Sequence, residues 1–337
     1  MNIWRSLAAV AAIVLTGPAL AQDYPELTLR YSSNIPEVVN TSKIDLFFSS
    51  EIAKRSGGKI KIQHFWANTL GGEAEIVDLT GSGAVDLALI VTGNQVSRLP
   101  FAAVTNSLPR TFADGPVLVE LTRDLYENNP TIQAEFAAAN LQPLLYRYLP
   151  DYRVYCTAPI RTMADFANKK VRSYGAYVPL MFEALGAVPV NIPPTDMIQA
   201  MSTGALDCTY LFNSAVGQFK IDQVAKYGTD ISFGVINAHT LFTSREKWNS
   251  WPESVRSLIT EVAREAEAYG AKLIAEDEAK AEAAMVAAGM EIVQFEEMDK
   301  LGDAIPNMLD VWVTKMAESG KEAEAREMAD YILAHRE

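Results

Sequence analysis

The feature that most constrains the fold is a regular alternation of short apolar segments with amphipathic ones. Strands are predicted at residues 27–32, 59–65, 86–91, 142–149, 152–157, 169–172, 188–192, 207–212 and 237–244. Helices are predicted between them at residues 41–56, 73–80, 116–129, 132–139, 178–185 and 195–203. Strands that alternate with helices are typical of βαβ units, so the sequence predicts an α/β protein with parallel sheets.

The length of the chain and an interruption in its alternating pattern predict two domains. Once a leader is removed, about 316 residues remain, which is more than one hydrophobic core usually serves. Pro150 and Asp151 interrupt the alternation, and a second set of elements follows them. We expect domain I to comprise residues 22–150 plus 237–276, and domain II to comprise residues 151–236 plus 277–337.

Residues 252–288 consist of helix formers with almost no breaker. At 1.5 Å per residue such a helix reaches roughly 50 Å, which is longer than a small domain is wide, so it would brace both halves. The alternative is two helices that meet near Gly270, because glycine costs about 1 kcal/mol inside a helix. Residues 299–336 are predicted to form two further amphipathic helices.

The first 21 residues have the pattern of a cleavable signal peptide. Arg5 precedes an apolar run at residues 7–15, and Ala19-Leu20-Ala21 follows a Gly-Pro break. A membrane anchor needs about 20 continuous apolar residues, and this run is too short. We therefore expect export to the periplasm.

Charge and cysteine content exclude several function classes. The formal net charge is −13, and cleavage removes the positive Arg5, which disfavours binding to nucleic acid or anionic lipid. Cys156 and Cys208 are the only cysteines, so a cysteine-rich scaffold or a C-x-x-C metal or redox site is excluded. Either these two form a disulfide, or they are separate buried thiols. No cofactor or metal is expected, and a monomer is the default.

Arg172 is the leading candidate for a ligand contact. It ends a short predicted strand in a neutral, aromatic-rich setting, and ligands of α/β sheets bind outside the carboxyl ends of the strands. A guanidinium offers parallel N–H donors to both oxygens of a carboxylate. The alternative is a structural ion pair with Asp165 or Asp207.

Several segments together resemble the solute-binding proteins of tripartite ATP-independent periplasmic (TRAP) transporters. They are GKIKIQHFWANTLGGEAEIVDLTGSGAVDLAL, PIRTMADFANKKVR, ALGAVPVNIP, MSTGALDC and SREKWNSWPESVRSLITEVAREA. They occur in the family's order over nearly the whole mature chain. The resemblance implies a two-domain periplasmic binding protein, type II-like, with crossing hinge strands and a long domain-spanning C-terminal helix. It also implies an organic acid ligand, a membrane permease as partner and no catalysis.

The resemblance assigns Arg172 to the ligand carboxylate. It suggests Arg153 as a second basic contact, with Arg147 as a competitor for that role and a domain-interface ion pair as the alternative. Asn34 aligns with a position that lines the cleft in relatives, although a turn asparagine explains it equally well. Asn168, Cys208 and Trp66 depart from the family pattern.

Further candidates rest on their positions at strand ends. Thr92 and Asn94 follow one strand and Asn213 follows another, while Tyr174, Phe212 and Trp66 would form an apolar wall. Loop capping or core packing are the alternatives. The residues after Asp207 lack the polar side chains of the better-known acid binders, which favours a monocarboxylate with an apolar or aromatic body.

Other functions have weaker support. The sequence contains no G-x-S-x-G, H-E-x-x-H or phosphate-binding glycine loop. An exported hydrolase or lyase would have to use Glu73 or Asp86 with His64. A subunit that presents its ligand to a sensor kinase is the other alternative. His239 is expected in the core or along the cleft.

Overall fold

The structure, a computed structural model, describes residues 23–336, so the predicted signal peptide lies outside the described residues. The strands are β1 (Leu27–Ser32), β2 (Ile60–Phe65), β3 (Leu87–Ile90), β4 (Leu141–Leu149), β5 (Arg153–Cys156), β6 (Lys170–Ser173), β7 (Val188–Asn191), β8 (Cys208–Leu211), β9 (Tyr227–Thr229), β10 (Ile236–Ser244) and β11 (Glu291–Val293). The helices are α1 (Ser42–Arg55), α2 (Ile76–Gly81), α3 (Val104–Ser107), α4 (Gly115–Asn128), α5 (Pro130–Ala138), α6 (Val178–Ala184), α7 (Met197–Ser202), α8 (Asn213–Gln218), α9 (Arg245–Ser250), α10 (Glu253–Ala287), α11 (Met298–Ala304), α12 (Met308–Ala317) and α13 (Glu322–His335).

The strands form two sheets, which confirms the predicted α/β class. The first has five strands in the order β2-β1-β3-β10-β4, and the second has six in the order β11-β9-β5-β8-β6-β7. In each sheet the strands that are joined through helices pair in parallel, as β1 does with β2 and β6 with β7.

The sheets are mixed, which corrects the expectation of parallel sheets. β10 pairs antiparallel with both β3 and β4, and β5 pairs antiparallel with both β8 and β9. The reason is the path of the chain. It leaves the first sheet along β4 and returns along β10, so the outgoing and returning strands run side by side in opposite directions.

The two crossings are hydrogen-bonded to each other between the sheets. The Tyr152 amide donates to the Gly234 carbonyl at 3.0 Å, and the Phe233 amide donates to the Tyr152 carbonyl at 2.8 Å. The Val235 amide in turn donates to the Phe112 carbonyl at 2.9 Å. A narrow paired ribbon therefore connects the two halves, as expected of crossing hinge strands.

α10 is a single helix of 35 residues, so the alternative of two helices meeting at Gly270 is wrong. A Cβ at Gly270 would lie 2.8 Å from Ile44 Cδ1, so the glycine allows α1 to pack closely against α10. Among the described residues, no helix is long and apolar enough to cross a membrane.

α10 contacts both sheets. Near its beginning Glu265 pairs with Arg55 of α1, and Glu267 accepts a hydrogen bond from the Tyr146 amide of β4 at 2.9 Å. Nearer its end Glu278 accepts from the Asn213 and Ser214 amides of α8, at 3.0 and 2.9 Å. The helix therefore spans the two halves, as predicted.

The tail contains three helices, α11 to α13, where two were predicted. It touches both halves of the molecule. Trp312 packs edge-on against Phe101 with ring centroids 6.0 Å apart, whereas Glu297 accepts from the Met163 amide at 2.7 Å. The domain ranges given above, including the assignment of residues 277–337 to domain II, stay a prediction.

Cys156 and Cys208 form a disulfide between β5 and β8, where the two residues are directly opposite each other. Of the two alternatives, the structure therefore has the cross-linked pair.

Candidate functional site: a cleft between the two sheets

A cleft of about 990 Å³ lies between the two halves. One wall is the segment between β1 and α1, and the other comprises the segment after β7 and the end of β8. The crossing strands and α10 form the floor. The lining residues include Asn34, Ile35, Pro36, Val38, Val39, Asn40, Thr41, Leu149, Tyr152, Arg172, Tyr174, Pro193, Thr195, Phe212, Ser214, Gln218, His239, Ile274 and Asp277.

Arg172 lies in this lining, although its side chain is largely buried, with 6% of the residue exposed. Its position follows from register, because β6 runs between β7 and β8 and carries Arg172 opposite Val190 and Thr209. Nη1 donates to the Tyr210 carbonyl at 3.2 Å, and Nε donates to the Ile192 carbonyl at 3.4 Å. Two backbone carbonyls thus hold the guanidinium at the end of the strand.

Within residues 23–336, Arg172 makes no salt bridge. Asp165 instead accepts from the Arg161 and Thr162 amides, and Asp207 accepts from the Lys170 amide at 2.8 Å. The structural ion pair weighed for Arg172 is therefore absent from the described part of the chain. A buried cation without a counter-ion is unfavourable unless an anion binds it.

Aromatic rings surround the guanidinium. The Arg172 Cζ lies 4.8 Å from the centre of the Tyr174 ring, which is within the range of a cation–π contact. The Tyr152 ring stacks on Tyr210 at 4.5 Å and meets Phe212 edge-on at 5.4 Å. Tyr152, Tyr174 and Phe212 line the cleft, so an apolar wall adjoins the cation.

Asn34 also lines the cleft, on the opposite wall. Its Nδ2 donates to Glu73 at 3.3 Å, while its Oδ1 is buried without a partner. Asn94 donates to the same carboxylate at 2.8 Å and lines a smaller pocket of about 160 Å³ beside the cleft. Thr92 is buried and accepts a hydrogen bond from the Tyr126 hydroxyl at 3.1 Å, away from both spaces.

Arg153, Asn213 and Trp66 lie outside the cleft lining. Arg153 Nη1 and Asn213 Nδ2 both contact Glu282 of α10 at 3.1 Å. Arg153 is thus in an ion pair, but by the predicted ranges both partners belong to domain II and the pair is not one across the domain interface. Trp66 stacks on His64 with ring centroids 4.6 Å apart. Of the eight predicted contacts, the structure thus gathers Arg172, Asn34, Tyr174 and Phe212 around the cleft.

His239 lines both the cleft and the smaller pocket. The residue is half-buried. This burial, reinforced by the nearby charge of Arg147, holds the pKa of His239 well below its usual range, so the ring is neutral. Arg147 itself is buried and pairs with Asp45 at 3.2 Å.

The groups weighed for catalysis do not converge. Glu73 is bound to Asn34 and Asn94, whereas Asp86 pairs with Arg30 and Lys247. His64 contacts Ser49 Oγ at 2.6 Å, and burial lowers the pKa of His64 to about 4. Across residues 23–336 no cluster of three or more histidine, cysteine or acidic side chains is placed to hold a metal.

Other cleft residues had not been predicted. They include Ile35, Pro36, residues 38–41, Tyr152, the pair Pro193-Pro194 and the α10 residues Ile274 and Asp277. Pro193 ends the quoted motif ALGAVPVNIP, so a signal for that wall was present in the sequence. The α10 residues carried no such signal, because their role depends on how the helix lies across the floor.

Comparisons with known proteins show the family and the fold of this chain. The profile of the family DctP, described as "Bacterial extracellular solute-binding protein, family 7", matches residues 36–318. The protein YiiZ of Salmonella typhimurium is 27% identical over 204 residues, which cover 60% of this chain and 61% of that protein. The 2,3-diketo-L-gulonate-binding periplasmic protein YiaO of Escherichia coli is 22% identical, over 78% of this chain and 79% of its own.

Solved structures share the fold. A TRAP periplasmic solute-binding protein from Desulfovibrio salexigens aligns with a TM-score of 0.81 at 20% identity, covering 92% of this chain and 96% of its own. The protein from Roseobacter denitrificans with bound β-D-glucuronate aligns at 0.75 and 21% identity, covering 91% and 99%. Members of this family are solute-binding proteins and not enzymes. The profile match spans most of the chain, and the chain therefore belongs to the DctP family, family 7 of the bacterial extracellular solute-binding proteins.

Proposed function

We propose that this protein captures a small organic carboxylate between its two halves, through Arg172, and delivers it to the membrane permease of a TRAP transporter. The observation that carries the proposal is the burial of Arg172 without a counter-ion. Its guanidinium is buried at the cleft and has no acidic partner among the described residues. A ligand carboxylate supplies the missing counter-ion.

The contacts of Arg172 leave room for such a ligand. Its two hydrogen bonds to described residues involve Nη1 and Nε and go to backbone carbonyls, which carry no formal charge. A charge-assisted bond from guanidinium to carboxylate is stronger than a neutral one, and desolvation strengthens it further. Capture of one carboxylate therefore repays part of the cost of burying the arginine.

Closure of the cleft completes the mechanism. The halves are connected by the paired crossings and by α10, which are the elements a hinge requires. When the walls approach, water leaves the Arg172–carboxylate pair and the ligand becomes enclosed. The closed form is the species that the permease recognises.

The relatives support a carboxylate as the ligand class. YiaO is named for 2,3-diketo-L-gulonate, and the Roseobacter denitrificans protein holds β-D-glucuronate. Both compounds carry one carboxylate. Residues 1–21 serve, in this proposal, as the signal that exports the protein to the periplasm, where it acts as a monomer.

Titration calorimetry with a panel of organic acids tests the role of Arg172. We expect Arg172→Gln to weaken the best ligand by at least about 100-fold, because a buried charge-assisted contact is lost. Arg161→Gln is the matched control, since Arg161 lies in the same half but forms an exposed ion pair with Glu291. That variant should bind within about twofold of the original protein. Near-native affinity in Arg172→Gln contradicts the proposal.

A further inference from the structure

The charges of the cleft limit its ligand to one carboxylate. Arg172 and Asp277 are the only charged side chains in the described lining, and His239 is neutral. The nearby Arg153 and Arg147 are already paired, with Glu282 and Asp45. A second carboxylate on the ligand would therefore meet no free cation.

The walls are mainly apolar on both sides. Ile35, Val38 and Val39 come from the first half, and Pro193, Leu211 and Phe212 come from the second. Val38, in the segment that lines the first wall, is 93% exposed. Closure would bring these two walls onto the body of the ligand, away from its charged end.

Two polar groups just outside the cleft lining are occupied by the protein itself. Asn213 Nδ2 donates to Glu282, and its Oδ1 accepts from the Tyr155 hydroxyl. Glu278 is occupied by the amides of α8. Each hydroxyl of a sugar acid buried here without a partner would lose its hydrogen bonds to water.

We infer that the ligand is a monocarboxylate with an apolar or aromatic body, and not a sugar acid or a dicarboxylate. This inference rests on the proposed function, because it requires Arg172 to hold the carboxylate. Tyr174 and Tyr152 contact the ligand next to its carboxylate, and Phe212 packs against its body. The cleft thus selects ligands by the apolar area that they bury, and Arg172 alone binds their charge.

Calorimetry with homologous acids tests the inference on protein that has been freed of bound ligand by unfolding and refolding with the disulfide intact. The series is acetate, butanoate, hexanoate and 3-phenylpropanoate, with D-glucuronate and succinate for comparison. We expect the dissociation constant to fall by about fourfold for each methylene buried. D-Glucuronate and succinate should bind at least about 100-fold more weakly than 3-phenylpropanoate.

Variants locate the apolar contact. Phe212→Ala should weaken 3-phenylpropanoate by about tenfold or more and leave acetate within about twofold. Phe212→Leu, which keeps apolar volume without the ring, should weaken 3-phenylpropanoate more than hexanoate. Trp66→Ala is the control, because Trp66 packs on His64 outside the cleft and should not change either affinity.

The outcomes separate this inference from the proposed function. If D-glucuronate or succinate binds more tightly than the apolar acids and Arg172→Gln abolishes that binding, the ligand class is overturned and the carboxylate role of Arg172 stands. If no acid of the panel binds, both are overturned. A rising affinity along the series that Arg172→Gln removes supports both.

Discussion

Buried arginines in this protein differ in what balances their charge. Arg123 pairs with Glu267 and Arg147 pairs with Asp45, and all four side chains are largely buried. Arg172 is buried to a similar extent, but its hydrogen bonds go only to backbone carbonyls, and no acidic side chain of the described residues pairs with it. The contrast separates arginines that stabilise the fold from an arginine kept for a ligand.

This contrast predicts opposite effects on stability. Arg147→Met leaves Asp45 buried without its partner, so it should lower the free energy of unfolding by about 3–5 kcal/mol. Arg172→Met removes a cation that has no counter-ion, so the ligand-free protein should be at least as stable as the original. Urea unfolding of ligand-free protein measures both. An equally large loss in Arg172→Met would make Arg172 a structural residue.

At the scale of elements, the disulfide joins the strand that enters the second sheet to the strand beside Arg172. Cys156 lies on β5 and Cys208 on β8, and Tyr210 of β8 also accepts a hydrogen bond from Arg172. The cross-link therefore ties together the support of the binding arginine as well as the sheet.

Removing the disulfide should destabilise the protein. The cysteines are separated by 52 residues, and closing a loop of that length is worth about 2–4 kcal/mol. Cys156→Ala combined with Cys208→Ala should lose that amount in urea unfolding. A reducing agent should destabilise the original protein to the same degree and leave the double variant unchanged. Equal stability of the two proteins under oxidising conditions would show that the bridge contributes nothing.

Local patterns predicted most elements because their signals are local. The helix expected at residues 252–288 is Glu253–Ala287, and the strand expected at residues 142–149 is Leu141–Leu149. The relative direction of neighbouring strands cannot be predicted from local patterns. β10 lies beside β4 because the chain crosses between the sheets twice, and periodicity along one segment does not record that path.

The site residues also divide into those that local position predicts and those that depend on distant parts of the chain. Arg172, Tyr174 and Phe212 were placed at the cleft by their positions at strand ends. Asn213 has the same kind of position, and Arg153 was suggested by the family resemblance. Both contact Glu282 instead, which lies 129 residues from Arg153 in the sequence. Whether a polar side chain faces the cleft or another element depends on where α10 packs. The spacing of residues along the chain does not specify that position.

At the scale of the whole molecule, the connections allow the halves to move as units. The crossings form a narrow ribbon, whereas α10 is fixed to the first sheet through Glu267 and to α8 of the second half through Glu278. The tail touches both halves through Trp312 and Glu297. In the proposed mechanism, movement is confined to the hinge between the two halves.

Ligand binding should make the molecule more compact, and small-angle X-ray scattering can measure this. A compact chain of this length has a radius of gyration of about 20 Å, and an open cleft adds to it. We expect saturating ligand to reduce the radius by about 1 Å, because closure brings the two walls together around the carboxylate. Arg172→Gln at the same ligand concentration should keep the open radius. An unchanged radius in the original protein, at a concentration where calorimetry shows full occupancy, would contradict capture by closure and would leave binding in an open cleft.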